Sequence, residues 1–118
     1  MMKTVLGVKL HRPRVTDANL KYMGSITIDQ DILDYSSLNP YEKVLIVDIN
    51  NGQRFETYII SGKRGSKTIC LNGAAARLVQ PGDEIIIMSF VQIDQQAVKQ
   101  WQPTIVLFDE ANNIIEKT

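Results

Sequence analysis

Residues 44–60 read VLIVDINNGQRFETYII. Two runs rich in β-branched and aromatic residues flank Asn51-Gly52, a pair that type I′ hairpin turns favour because both central residues need a positive φ. The stretch therefore predicts a β-hairpin with strands over Val44–Ile49 and Gln53–Ile60.

Short β-rich runs continue on both sides of this hairpin, with turn signals between them. The further strand candidates are Thr4–Leu10, Ser25–Ile28, Thr68–Leu71, Glu84–Val91 and Thr104–Phe108, with Ile114-Ile115 as a fragment. The helix candidates are Asp29–Ser36, Ala74–Val79 and Asp94–Trp101, and an aspartate cap opens the first and the last. Many short strands with a few short helices favour a mainly β fold, a small barrel or sandwich. The pattern has no βαβ alternation, which argues against a Rossmann-like parallel sheet.

Composition narrows the function classes. A chain of 118 residues predicts one domain over residues 1–118. Thirteen basic and thirteen acidic side chains balance, which argues against nucleic acid or an anionic membrane as the main partner. The apolar runs are too short for a transmembrane helix or a signal peptide. One cysteine and one histidine exclude a disulfide or a thiolate metal cage within the chain. We expect a small soluble intracellular domain without a structural metal.

Standard catalytic motifs do not occur in the sequence: there is no GxGxxG, phosphate-binding loop, HExxH or CxxC. A Cys70-His11 nucleophile pair can be imagined, but Cys70 lies in an apolar strand candidate and is predicted to be a small core residue. Gly24-Ser25, taken alone, is a turn dipeptide that leads into a strand.

Five blocks taken together carry more information than any of these motifs. They are Lys9–Arg12, Thr16–Leu20, Tyr22–Ile26 (YMGSI), Asn51–Tyr58 (NGQRFETY) and Asn72–Arg77 (NGAAAR). In this order and spacing the sequence closely resembles the pyruvoyl-dependent aspartate 1-decarboxylases, from near residue 3 to beyond Phe108. The resemblance implies a small double-psi β-barrel with short helices. It also implies a cytoplasmic homotetramer whose active sites lie between subunits.

The resemblance implies a self-processing proenzyme. The chain would cut itself between Gly24 and Ser25 into a β chain, residues 1–24, and an α chain, residues 25–118, and Ser25 would become a pyruvoyl group. The mature enzyme would convert L-aspartate to β-alanine and CO₂ for pantothenate and coenzyme A synthesis. The pyruvoyl ketone would form a Schiff base with the substrate amine and accept the electrons that decarboxylation leaves, so no external cofactor is needed. Whether maturation needs a helper protein stays open.

Positions that match the motifs of this family give the expected roles of the site residues. Tyr58 would be the proton donor, while Arg54 and Lys9 would hold the substrate carboxylates. We expect the fold to strain the Gly24-Ser25 turn so that the Ser25 hydroxyl attacks the Gly24 carbonyl. The other matching positions are Thr57 for cleavage and substrate contact, the substrate loop Asn72, Gly73, Ala74 and Ala75, and the possible lining residues Tyr22 and His11. For His11, a buried and hydrogen-bonded structural role is the commoner case.

Strand geometry limits how these residues can meet. Arg54 and Tyr58 share a face about 13 Å apart, and Thr57 points to the opposite face. A bent strand, or contributions from different subunits, is needed to bring all three to one small substrate. Val47 stands where some relatives carry Trp, and Glu56, on the Arg54 side, stands where Ser is often found.

Two other functions stay open at this point. The chain could be a non-enzymatic β-barrel binding module, since fold alone does not settle function. It could also be a pyruvoyl decarboxylase for another amino acid.

Overall fold

The computed structural model describes residues 1–118. Its strands are β1 (Met2–Arg14), β2 (Asp17–Asn19), β3 (Ser25–Asp29), β4 (Lys43–Asp48), β5 (Arg54–Gly62), β6 (Ile69–Asn72), β7 (Glu84–Asp94), β8 (Thr104–Phe108) and β9 (Ile114–Lys117). One α-helix, α1 (Gln30–Ser36), and two 3₁₀ helices, Gly73–Leu78 and Gln95–Gln100, connect them. The prediction of a mainly β chain with short helices is confirmed.

The nine strands form one mixed sheet in the order β2-β6-β3-β5-β4-β7-β1-β8-β9. Strand β1 lies inside the sheet, antiparallel to β7 and parallel to β8. Strand β5 pairs with β4 through its first half and with β3 through its second half. This pairing, with parallel and antiparallel neighbours mixed, is consistent with the predicted small β-barrel and differs from a Rossmann-like sheet.

Strand β1 is longer than the predicted Thr4–Leu10 because it pairs with β7 along nearly its whole length. Register shifts between Leu6 and Val8, and again between His11 and Arg14, let the strand bend without ending. Strand β2 was not predicted at all. It is short and polar, and its parallel pairing with β6 is what makes it a strand.

The hairpin of β4 and β5 is confirmed, but its turn is not the predicted type I′. Gly52 has a φ of +76°, whereas Asn51 has no positive φ. The carboxylate of Asp48 accepts hydrogen bonds from the backbone N–H groups of Asn50 (2.8 Å) and Asn51 (3.3 Å). These local bonds fold residues 49–53 into a longer loop in place of a two-residue turn.

The predicted helix caps are present. Asp29 accepts a hydrogen bond from the N–H of Asp31 at the start of α1, and Asp94 does the same for Gln96. The segment predicted as a helix over Ala74–Val79 is a 3₁₀ helix that begins at Gly73. None of the three helices has the length and apolar character that crossing a membrane requires.

The core consists of inward-facing aliphatic side chains from most of the strands. Its fully buried members include Leu10, Ile26, Ile46, Ile59 and Ile87. Cys70 is not among them, so the prediction that it is a core residue is wrong. Its neighbours Ile69 and Leu71 take the inward positions of β6, and strand alternation turns the thiol to the opposite face.

Candidate active site

The first group of predicted residues surrounds Ser25. Ser25 begins β3 and pairs with Asn72, which ends β6, and their exposed fractions are only 1% and 3%. The amide nitrogen of Asn72 donates to the Ser25 hydroxyl oxygen (3.0 Å) and to the Thr27 hydroxyl oxygen (2.9 Å). The Cys70 thiol donates to the amide oxygen of Asn72 at 3.4 Å. We call Ser25, Thr27, Cys70 and Asn72 the serine cluster.

Hydrogen bonding in the serine cluster fixes which way the Asn72 amide points. Because the Cys70 thiol lies at the amide oxygen, the nitrogen faces the two hydroxyl oxygens. Burial, with the nearby charge of Asp17 as the next cause, raises the pKa of the Cys70 thiol. Cys70 therefore stays a thiol and a donor, which argues against the nucleophilic thiolate that a Cys70-His11 pair requires.

Gly73 packs against the peptide that precedes Ser25. Its φ is +66°, and a Cβ built on it would lie 2.7 Å from the Cα of Gly24 and 2.8 Å from the Gly24 nitrogen. Such a Cβ would also lie 3.1 Å from the carbonyl oxygen of Tyr22. Both the backbone conformation and the contact require glycine. The structure thus brings together four of the predicted site residues, Gly24, Ser25, Asn72 and Gly73.

The loop around these residues has two further features. Asn72 is the N-cap residue of the first 3₁₀ helix, but its side chain forms no capping hydrogen bond because it is bound to Ser25 and Thr27. Gly24 has no positive φ, so the left-handed conformation of this region is at Gly73 and not at the Gly24-Ser25 turn. Ala74 and Ala75 continue the 3₁₀ helix beside it.

A second group of predicted residues lies on the outer face of the sheet. The cross-strand register aligns Arg54, Val47, Ile86 and His11 in one row over β5, β4, β7 and β1. The neighbouring row consists of Glu56, Leu45, Met88 and Lys9. We call these eight residues, together with Tyr58, the basic face. Three strand spacings separate β5 from β1, so the backbones of Arg54 and His11 are about 14 Å apart across the sheet.

The cations of the basic face have no partner within the chain. Neither Lys9 nor Arg54 forms an ion pair, and neither makes a hydrogen bond to the serine cluster. The carboxylate of Glu56 pairs with Lys43 at 3.3 Å, and both side chains are exposed. Glu56 is therefore paired with Lys43, whereas Arg54 has no ion-pair partner within the chain.

His11 does not have the expected structural role. The imidazole is half-buried, and its Nδ1 is buried without a hydrogen-bond partner. Burial, followed by the positive charges of Lys9 and Arg12, lowers the pKa of His11. Within the single chain His11 thus lacks the hydrogen bond of a buried structural histidine, and its role as a site-lining residue stays a prediction.

Strand β5 places Thr57 and Tyr58 on opposite faces, as alternation requires. Tyr58 is 38% exposed, its hydroxyl forms no hydrogen bond, and its ring stacks on Tyr41 at a centroid distance of 6.4 Å. Thr57 lies opposite the buried Val44 of β4, and its hydroxyl reaches neither Gly24 nor Ser25. Tyr41 was not identified from the sequence, although the Asn39-Pro40 turn signal stands directly before it.

The cavities of the single chain lie away from both the serine cluster and the basic face. One, of about 250 Å³, is lined by residues that include Asp29, Tyr35 and Lys67. The other, of about 440 Å³, lies between the start of β1 and the second 3₁₀ helix. Neither contains a predicted site residue, and Tyr22 is exposed to solvent. The chain thus presents two separate groups of predicted residues without an enclosed substrate cavity between them.

Sequence comparison places the chain among known proteins. A family model described as aspartate decarboxylase matches residues 1–115. A protein of Neisseria meningitidis serogroup C named aspartate 1-decarboxylase is 59% identical over 114 residues, covering 97% of this chain and 90% of the relative.

Two further relatives carry the same name. The protein of Bacteroides thetaiotaomicron is 58% identical over 99% of this chain and 100% of its own length. That of Staphylococcus aureus strain JH9 is 53% identical over 98% of this chain and 91% of its own length. Matches of this identity over nearly full length leave one conclusion: the chain belongs to the aspartate decarboxylase family and is an enzyme of that family.

Proposed function

We propose that this chain is a self-cleaving proenzyme that matures to decarboxylate L-aspartate to β-alanine and CO₂. The observation that carries the proposal is the serine cluster: a buried Ser25 hydroxyl is held by Asn72, directly after a Gly24 that packs on Gly73. A binding module has no use for this arrangement. The enzyme would act in the cytoplasm and supply β-alanine for pantothenate and coenzyme A synthesis, as the sequence resemblance implies.

The contacts of Ser25 suit the first step of cleavage. The hydroxyl donates to the Met23 carbonyl at 3.3 Å, which is long for an O–H···O bond and easily broken. The Asn72 amide keeps the oxygen in place while the hydroxyl turns to the Gly24 carbonyl carbon. Attack there replaces the peptide bond with an ester. Loss of the α-proton of Ser25 then expels the Gly24 carboxylate, and hydrolysis of the resulting dehydroalanine releases ammonia.

The site also fits the pyruvoyl group that this sequence of steps would leave at position 25. The Asn72 amide nitrogen can donate to a carbonyl oxygen as readily as to the Ser25 hydroxyl, and Gly73 leaves the backbone space beside it. Such a group supplies the electron sink that decarboxylation at an α-carbon needs.

The charge of the basic face favours an acidic substrate. Lys9 and Arg54 offer cations without partners, and a guanidinium fork matches a carboxylate. Glu56 is the one acidic residue of the basic face, and Lys43 already binds it. A basic amino acid would therefore find no free carboxylate there, whereas a dicarboxylate such as aspartate would be held. The free hydroxyl of Tyr58 is suited to return a proton to the α-carbon.

We further propose that the two groups meet between subunits of a homotetramer. Neither group contacts the other through hydrogen bonds within one chain. The basic face carries half-buried apolar side chains, Leu45, Val47, Ile86 and Met88, of the kind that a second copy would cover.

An intact-mass spectrum under denaturing conditions tests the cleavage. We expect two species, residues 1–24 and an α chain lighter by one ammonia than a fragment that begins with serine. Ser25→Ala should remain uncut, whereas Ser36→Ala, which alters another fully buried serine, should be cut normally. A wild-type chain that stays uncut after long incubation, with and without cell extract, would overturn the proposal. Cutting only in the presence of extract would reveal a maturation partner.

Mixed oligomers test the sharing of sites. Ser25→Ala chains, inactive alone, and Arg54→Ala chains, weakly active alone, are co-expressed and assayed for CO₂ release from aspartate. If Ser25 of one chain works with Arg54 of another, some mixed sites contain both native residues, and activity returns. Activity no greater than that of the separate variants would mean that each site lies within one chain.

A further inference from the structure

We propose that Tyr41 is a positioning residue that holds the ring of Tyr58 in place for proton transfer. This inference rests on the proposed role of Tyr58 as proton donor. It concerns a residue that lies outside the serine cluster and outside the basic face.

The backbone at Tyr41 is unusual for a bulky side chain. The N–H of Glu42 donates to the carbonyl of Asn39 at 3.3 Å, which closes a four-residue turn with Pro40 and Tyr41 at its centre. Tyr41 has a φ of +72° at the third position, the feature of a type II turn, where glycine or asparagine is the normal residue. A tyrosine there is strained, so some other interaction must favour its retention.

Burial of the ring does not explain why a tyrosine occupies this strained position. Tyr41 is 79% exposed, so its ring contributes little to the core. Its aromatic neighbour is Tyr58, with ring centroids 6.4 Å apart and planes inclined by 26°. This distance lies within the range of offset-stacked pairs, which contribute beyond the area they bury. The strained conformation thus serves mainly to place one exposed ring on another.

The turn is attached to β5 at the residue that follows Tyr58. The N–H of Tyr41 donates to the carbonyl of Ile59 at 2.7 Å, and the N–H of Ile59 donates to the carbonyl of Glu42 at 3.1 Å. The side chain of Glu42 also accepts from the N–H of Asn39 at 2.6 Å. These bonds fix the Tyr41 backbone relative to the strand that carries Tyr58, so the stacked ring has a defined position.

The stacking on Tyr41 is the one aromatic pair that Tyr58 forms. Its hydroxyl has no hydrogen bond within the chain, and its cross-strand neighbour Lys43 is turned to Glu56. A proton donor must be held close to the reacting carbon, because a displacement of about 1 Å can cost on the order of a hundredfold in rate. Loss of the Tyr41 ring should therefore lower kcat more than it changes KM.

The test uses variants that preserve the turn. Tyr41→Gly and Tyr41→Asn suit a positive φ and remove the ring, whereas Tyr41→Phe keeps the ring. We expect the first two to lower kcat about tenfold or more with KM changed less than twofold, to unfold within a few degrees of wild type, and to cleave normally. Tyr41→Phe should restore kcat, and Tyr35→Ala, which removes the ring of a tyrosine outside the proposed site, should leave kcat unchanged.

A readout that needs no activity uses fluorotyrosine incorporated into the uncut Ser25→Ala chain. The ¹⁹F resonance of Tyr58, assigned by its loss in Tyr58→Phe, should move toward the position of free fluorotyrosine in Tyr41→Gly and stay in place in Tyr41→Phe. An unmoved resonance would overturn the inference.

A double-variant comparison separates this inference from the proposed function. If Tyr41 acts through Tyr58, Tyr41→Gly lowers kcat in the native background and has no further effect in Tyr58→Phe. A slow Tyr58→Phe beside a fully active Tyr41→Gly would overturn the role of Tyr41 alone, as would equal losses from Tyr41→Gly in both backgrounds. A fully active Tyr58→Phe would refute the proton-donor role itself, and the inference with it.

Discussion

The serine cluster and the basic face belong to one sheet, yet they differ in how far a single chain completes them. Ser25 and Asn72 are buried, and their polar atoms have partners within the chain. Lys9, Arg54 and Tyr58 are partly exposed and lack polar partners, and His11 has a buried nitrogen without one. The difference teaches that the polar contacts of Ser25 are already complete in one chain, whereas the exposed cations and Tyr58 find no polar partner there.

The largest expected effect comes from a substitution beside the serine cluster. In Gly73→Ala the new Cβ would meet Gly24 at 2.7 Å, so the scissile peptide must move and cleavage should slow by about a hundredfold. Gly65→Ala is the matched control, because Gly65 has a similar φ of +79° with no atom near the added Cβ. Intact-mass spectra taken over time measure the cleavage rate of each variant. Equal slowing in the two variants would assign the effect to backbone strain in general.

The converse substitution damages only the basic face. Arg54→Ala should lower kcat/KM for aspartate between about tenfold and a hundredfold, because a hydrogen bond to a charged group contributes about 1.5–3 kcal/mol. Cleavage should proceed at the native rate. Arg64→Ala, which removes a guanidinium bound to Asp31 and Asp34 instead, should leave steady-state kinetics unchanged. An uncut Arg54→Ala chain would show that the two regions are not independent.

A pH effect should reach the hairpin that carries Arg54. Burial, together with a hydrogen bond to Asp83, raises the pKa of Asp48 from 3.8 to about 6. The folded chain then keeps a proton that the unfolded chain releases, so stability falls as the pH rises from about 4 through 6. Asp48→Asn should remove this fall and be more stable at pH 7 by roughly 1 to 3 kcal/mol, with little difference near pH 4. Urea unfolding at pH 4 and pH 7 measures the free energy of unfolding of both proteins. The same difference between them at both pH values would contradict the raised pKa of Asp48.

The smallest effect is expected at the exposed pair of Lys43 and Glu56. Glu56→Ser frees the Lys43 ammonium and adds positive charge to the basic face, so KM for aspartate should fall by no more than about twofold and the change should weaken with salt. Glu110→Ser, at an exposed acidic residue elsewhere, is the control. A larger fall in KM would mean that Glu56 opposes Arg54 directly.

Much of the fold follows from local patterns in the sequence. The β-branched runs predicted β4, β5 and β7, and the aspartate caps predicted α1 and the second 3₁₀ helix. The turn after Asp48 was predicted wrongly because the Asp48 carboxylate, and not the Asn-Gly pair, organises the loop. Strand β2 was missed because its pairing with β6 is not local.

The candidate site residues were predicted as a set but not as an arrangement. Five sequence blocks identified Gly24, Ser25, Asn72 and Gly73, and alternation placed Thr57 opposite Tyr58. The contact of Gly73 with Gly24 depends on how β6 and β3 pair, and the position of Cys70 depends on which face of β6 the core uses. Tyr41 had no signal of its own, since its φ and its stacking are visible only in three dimensions.

The place of β1 inside the sheet has a consequence for the mature protein. Strand β1 lies between β7 and β8, so cleavage after Gly24 would leave an interior strand on a separate peptide. The product would then be a split protein, held together only by strand pairing and core packing. Its unfolding would release two chains in place of one, and its stability would therefore depend on protein concentration. A diluted mature enzyme should lose its short chain, and the two separated peptides would have to find each other again to refold. The uncut chain, by contrast, refolds without a partner peptide.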